Sequence, residues 1–269
     1  MAIVPLALAV IAVRPYLWGS GSSTPVSLEE VIRRYQEAAS STAVPVTVPS
    51  TASVTTLPVT VPATDLAVAP ALPQPGVYVY ATSGGDSVDA LGGDHHVYPE
   101  TTTITVTEHG CGVLQRWDLL VERWEEWQRC VVGDGIAFVG RTNFDSFFGR
   151  SQTDRYECTG DARPARAEFG RTWSFVCRQG DEVDRYDGVV VGVERLVVAQ
   201  RTVEALHVRV SIDNGTVGDS QVTDSWYLMG SDLLLAQTGA NDTTNPSPVG
   251  DVHYTERYEM QLTDLVPQT

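Results

Sequence analysis

The chain's four cysteines, five histidines and six tryptophans carry most of the chemistry its sequence could perform. Cys111 and Cys130 stand 19 residues apart, and so do Cys158 and Cys177. Zinc ligands usually come as close Cys-x-x-Cys pairs, and none occurs here. Of the three connectivities open to four cysteines, the equal spacing favours Cys111–Cys130 and Cys158–Cys177. A hairpin centred between Leu120 and Val121 would set Cys111 opposite Cys130 and Trp117 opposite Trp124. The same register sets Arg116 opposite Glu125 and Asp118 opposite Arg123, all favourable cross-strand matches.

Other reactive groupings are weaker. Gly85-Asp86-Ser87 follows the apolar run Val77–Tyr80, but a nucleophilic serine needs a histidine in reach, itself held by an acid. Asp251-Val252-His253 has the wrong spacing, so the tripeptide is expected to be a turn. In Asp94-His95-His96, neighbouring side chains of an extended chain point to opposite faces and do not share one ion. His109, His207 and His253 fall in separate strands or turns. No metal, cofactor or catalytic set is therefore expected. The acidic run Glu122–Glu126, with Arg116, Arg123 and Arg129 about it, is expected to be a solvated, ion-paired face rather than a calcium site. Trp117, Trp124, Trp127, Tyr78 and Tyr80, with Tyr98, are the candidate binding surface; alternation puts Trp127 on the opposite face from Trp124.

The elements that must position these residues are β-strands. Leu206, Val208, Val210 and Ile212 alternate with polar residues, as do Ile104 and Val106, and Val252, Tyr254, Tyr258, Met260 and Leu262 share one face. Turn clusters such as Asp213-Asn214-Gly215 separate them. The expectation for 76–269 is an all-β extracytoplasmic domain: a large antiparallel curved sheet or half-barrel of ten or eleven strands with two disulfides. Residues 1–18 are apolar enough for an N-terminal signal anchor, with Arg14, Tyr16 and Trp18 at the interface; a cleaved signal is the rival. Residues 19–40 form a linker and short helix, opened by a Ser27–Glu30 capping box over Leu28–Ala39. Residues 41–75, broken by seven prolines, read as a stiff extended stalk.

Charge narrows the partners. The 269 residues hold 18 basic and 34 acidic side chains, a net charge of −16, and every basic one is Arg. That excludes nucleic acid and polybasic lipid attachment. The expected location is the cell membrane, single-pass with the C-terminal domain extracytoplasmic, or secreted if the signal is cleaved. An even cysteine count behind an apolar N-terminus fits an oxidising compartment.

Gly192-Val193-Glu194, Val197-Val198, Glu204–Val210 and Trp226-Tyr227-Leu228 together resemble the meander of extracytoplasmic half-barrel proteins of the LolA and LppX kind. The whole chain also looks like uncharacterised secreted or membrane-anchored proteins of high-GC Gram-positive bacteria. Gly85-Asp86-Ser87 is similar to the nucleophile block of the SGNH hydrolases in that tripeptide alone. The half-barrel resemblance implies a cavity under a curved sheet that carries a hydrophobic ligand such as a lipid. Two expectations follow: a non-enzymatic envelope domain binding a ligand or partner, and, second to it, a carrier of a small hydrophobic molecule. A hydrolase ranks third.

Overall fold

A computed structural model describes residues 23–42 and 70–269, apart from 167, 217, 248 and 249. The expected membrane segment at 1–18 lies outside the described residues, as does most of the stalk. Among the described residues no helix is long and apolar enough to cross a membrane.

One α-helix precedes fourteen strands. Helix α1 spans Leu28–Thr42. The strands are β1 Gly76–Val88, β2 Asp94–Val97, β3 Thr101–His109, β4 Gly112–Leu120 and β5 Arg123–Val132. Then come β6 Gly135–Phe147, β7 Arg150–Gly160, β8 Arg163–Pro164, β9 Thr172–Gln179 and β10 Glu182–Val198. The last are β11 Arg201–Asp213, β12 Ser220–Leu228, β13 Leu234–Ser247 and β14 Gly250–Leu262. Twelve of them run as an antiparallel meander, and β1 pairs with β14 from Tyr80↔Leu262 to Val88↔Tyr254. That pairing closes a barrel. β2 adds to β1 beside β3, and β8 adds to β6. The half-barrel expectation is corrected here: the sheet has no open side, and ten or eleven strands was an undercount. The long strands β10, β11, β13 and β14 and the end-to-end pairing are what convert a curved sheet into a tube.

Period two then sorts every strand into a lumen face and an outer face. Tyr80, Thr82, Gly84, Asp86 and Val88 stand opposite Leu262, Met260, Tyr258, Glu256 and Tyr254, all on the lumen side. The Leu120/Val121 hairpin also needs correction. β4 carries a bulge between Asp118 and Leu120, so Trp117 faces Glu125, Asp118 faces Trp124 and Arg116 faces Glu126. Leu119 and Leu120, beside this irregularity, are both fully buried. The cysteines tolerate the shift. Cys111, one residue before β4, is bonded to Cys130, and Cys158 is bonded to Cys177 directly across β7 and β9.

The two ends of the tube differ. At the floor, Arg163-Pro164 pairs with Gly135-Ile136, and the Ala165 carbonyl accepts from Gly230 N–H at 2.9 Å. Ala71 bridges to Ser231, Leu72 packs on the core, and Val77 pairs with Gln268. The 41–75 spacer therefore does not run free to residue 75, because its last residues help to seal the floor. At the mouth, β2 reaches the β6–β7 turn, where Phe148 N–H donates to Asp94 Oδ2 at 3.0 Å. Helix α1 lies against β1 and β3 on the outside. Ser27 Oγ accepts the Glu30 N–H at 3.2 Å, as a cap should, while the Glu30 carboxylate turns to Arg33. Val31 is buried and Arg34 reaches Asp118 at 3.5 Å, so this helix docks on the barrel rather than standing apart.

Two glycines make room inside. A Cβ at Gly188 would overlap the Trp173 indole, and one at Gly239 would overlap the Tyr258 ring. These bare positions let two large rings lie flat against the barrel wall.

Candidate functional site

The lumen holds a cavity of about 160 Å³. One side is an aromatic wall from β5, β6, β9 and β10. Phe138, Phe175 and Tyr186 stack in series with ring centres 4.7 and 4.4 Å apart. Trp127 meets all three edge-on. The facing side, from β11 to β14, mixes Val208, Val210 and Ile212 with Thr223, Ser225 and Gln237.

Four arginines also line this space: Arg123, Arg129, Arg141 and Arg163. At the floor, Arg163 (1% exposed) and Arg129 both pair with Asp232 (0% exposed). Asp232 Oδ1 accepts from Arg163 Nη2 at 2.7 Å and from Arg129 Nη1 at 3.1 Å. Its Oδ2 accepts from Gln115 Nε2 at 2.8 Å. The Arg163 guanidinium also sits 3.7 Å over the Tyr227 ring, and Arg129 lies 4.8 Å from the centre of Phe138. Burial works against the charge on Arg129, but Asp232 beside it more than offsets that and keeps it a cation.

The mouth has the opposite balance. Arg141 pairs with Asp184 at 2.8 Å and Glu125 at 3.5 Å and donates to the Tyr186 hydroxyl. Arg123 pairs with Asp145 at 3.1 Å and Glu256 at 3.7 Å. Tyr98 donates to Glu256, and its hydroxyl lies 3.2 Å from an oxygen of Asp86, whose other oxygen lies 2.7 Å from His96 Nδ1. Burial pushes the Glu256 carboxyl up, against the pull of Arg123 and the Tyr98 hydrogen bond, and burial raises Asp145 in the same way. For His96 burial opposes protonation, yet the Asp86 hydrogen bond and the Asp86 and Asp94 charges win, so its pKa is raised.

The candidate aromatic residues are divided by the wall. Trp117 and Trp127 face the lumen, and Trp117 Nε1 donates to Thr102 Oγ1 at 3.0 Å. Trp124 lies outside, stacked on Phe144 beneath the Arg116 guanidinium, because the bulge reverses its side relative to Trp117. Tyr78 and Tyr80 are buried packing residues whose hydroxyls donate to the Gln74 and Leu234 carbonyls. The acidic run is split likewise. Glu126 pairs with Arg116 outside, whereas Glu125 and Arg123 point inward, so it is only half the solvated face expected.

Alternation separates His95 from the inward pair Asp94 and His96. Among the described residues no cluster of three metal-ligating side chains forms. His207 lies between Glu194 and Asp224 at 2.7 and 2.8 Å, and His253 pairs with Asp242 at 2.6 Å. His95 stands opposite Ser87 across β1 and β2, but the Ser87 hydroxyl is bonded to Thr255 Oγ1 at 2.8 Å. The residues that sequence reasoning missed are Arg129, Arg163, Asp232 and Gln115. Period two places Arg123, Glu125, Trp127 and Arg129 on one face, a signal that reading the run as a solvated face leaves unused. What it lacked was the second wall that turns that face into an interior.

No protein-family model matches the chain, and no curated protein matches it in sequence. Among solved structures it is similar to the hypothetical lipoprotein YmcC from Escherichia coli K12, with 10% identity and a TM-score of 0.31, covering 66% of this chain and 85% of that one. A likeness at that level fixes neither fold nor ligand.

Asp232 should be the most sensitive polar residue of the floor. Asp232→Asn leaves two buried guanidiniums without a counter-charge and is expected to cost roughly 3–5 kcal/mol in urea denaturation. Arg163→Met, which leaves Asp232 paired with Arg129, should cost clearly less; the reverse order would refute this pairing. Glu256 supplies a pH test. Its folded pKa lies above the ordinary 4.5, so the stability it contributes is complete below that value and lost as pH rises through the folded pKa. The melting temperature of Glu256→Gln minus that of the wild type should therefore grow more positive as pH rises above 4.5. A flat difference would show that this carboxyl is not raised.

Proposed function

We propose that this barrel is a non-enzymatic binding domain of the extracytoplasmic space, tethered through its N-terminal segment, that takes a small ligand into its lumen. The observation that carries the proposal is the lumen's make-up: a cavity of about 160 Å³ bordered by stacked aromatic rings and by buried donors that find no partner in the protein. A purely structural core would be filled and its polar groups satisfied. The two disulfides support an oxidising compartment. Carriage of a hydrophobic ligand, the second reading, draws support from the aromatic wall. The arginine and carboxylate pairs across the lumen weigh against a long acyl chain, which needs a continuous apolar sleeve.

Calorimetric titration of the full chain with a neutral aryl probe, 3-methylindole, tests this. Binding should saturate at one probe per chain. Val210→Trp, which fills the space facing the aromatic wall, should abolish it. Binding that survives Val210→Trp would place the probe outside the lumen and contradict the proposal.

A further inference from the structure

The floor of the lumen is short of one negative charge. Both Arg129 and Arg163 make their ion pairs with the same carboxylate, Asp232, which also accepts from Gln115. Two cations against one anion leave a residual positive charge in a site where both guanidiniums are more than nine-tenths buried. An uncompensated buried charge is costly and does not persist without a purpose or a partner.

The unpartnered atoms point the same way. Arg129 Nε and Arg163 Nε find no acceptor, and neither does the Trp173 indole N–H. All three residues border the cavity. The unmet need at this end is for acceptor oxygens. At the mouth the balance is reversed: two arginines face Asp145, Glu256, Glu125 and Asp184. The field along the lumen thus favours a ligand whose negative end lies at the floor. Between the two ends runs the Phe138–Phe175–Tyr186 stack, against which a flat ring can pack.

Building on the lumen-binding proposal above, we infer that the ligand is an aryl carboxylate, seated with its carboxylate against Arg129 and Arg163 and its ring against the aromatic stack. The carboxylate supplies the missing charge and completes a buried two-arginine, two-carboxylate cluster. Guanidinium is suited to this because it offers several donors in one plane. No covalent step is involved.

The test compares indole-3-acetate with its methyl ester, which has the same ring but no charge, by calorimetry on the full wild-type chain. The acid should bind at least about tenfold tighter, as expected for hydrogen bonds between charged groups in a buried site. Arg129→Gln and Arg163→Gln should bring the acid-to-ester ratio close to one. The wild-type comparison decides the matter even if those variants fail to fold. Equal affinity for acid and ester overturns the inference while leaving the lumen as a binding site. Failure of acid, ester and 3-methylindole alike overturns both. A preference for the acid that survives Val210→Trp would locate the anion site elsewhere and also overturn it.

Discussion

Closure of β1 on β14 is the constraint on which the rest of the molecule depends. Nine residue pairs join the two strands, from Tyr80↔Leu262 to Val88↔Tyr254. Without them the sheet would present two long unpaired edges, and its concave face would be wetted. With them the concave face becomes an interior, and every charged side chain on it must find a partner there or be neutralised. The floor triad of Arg129, Arg163 and Asp232, the mouth network around Glu256, and the raised pKa values of Glu256 and Asp145 all follow from that enclosure.

The barrel also explains why the outlying segments sit where they do. A tube with an aromatic and polar lumen must be sealed at one end. Here the β7–β9 connection, the β12–β13 turn and residues 70–75 meet at the floor through backbone hydrogen bonds from Ala71, Gly230 and Asp232. Cys158–Cys177 ties together the two strands that flank the first of these, and Cys111–Cys130 joins the floor ends of β4 and β5. At the mouth, β2 is held to the β6–β7 turn by the hydrogen bond from Phe148 N–H to Asp94.

Much of this was legible in the sequence, and the limits have physical reasons. Alternation in Leu206–Ile212 and Val252–Leu262 is a local property and identifies strands without tertiary knowledge. The equal cysteine spacing and the Ser27 cap are local too. Closure is not. Tyr80 and Leu262 are separated by nearly the whole domain, and nothing in either strand specifies its partner. The Asp118/Leu120 bulge is invisible for a related reason: it shows only in the register between β4 and β5, and it moves Trp124 outside. Arg163 falls in a two-residue strand without periodicity, and Asp232 in a turn, so their meeting in the lumen could not be read from either neighbourhood.

The central claim is that the sheet is closed, and backbone amide hydrogen exchange across β1 and β14 tests it most directly. Amides in the paired segments 80–88 and 254–262 should be protected to the same degree as those of β10 and β11, which lie far from the seam. Exchange in 80–88 and 254–262 at the rate of exposed strand edges, with β10 and β11 still protected, would mean an open half-barrel. It would remove the enclosed lumen on which the binding account stands.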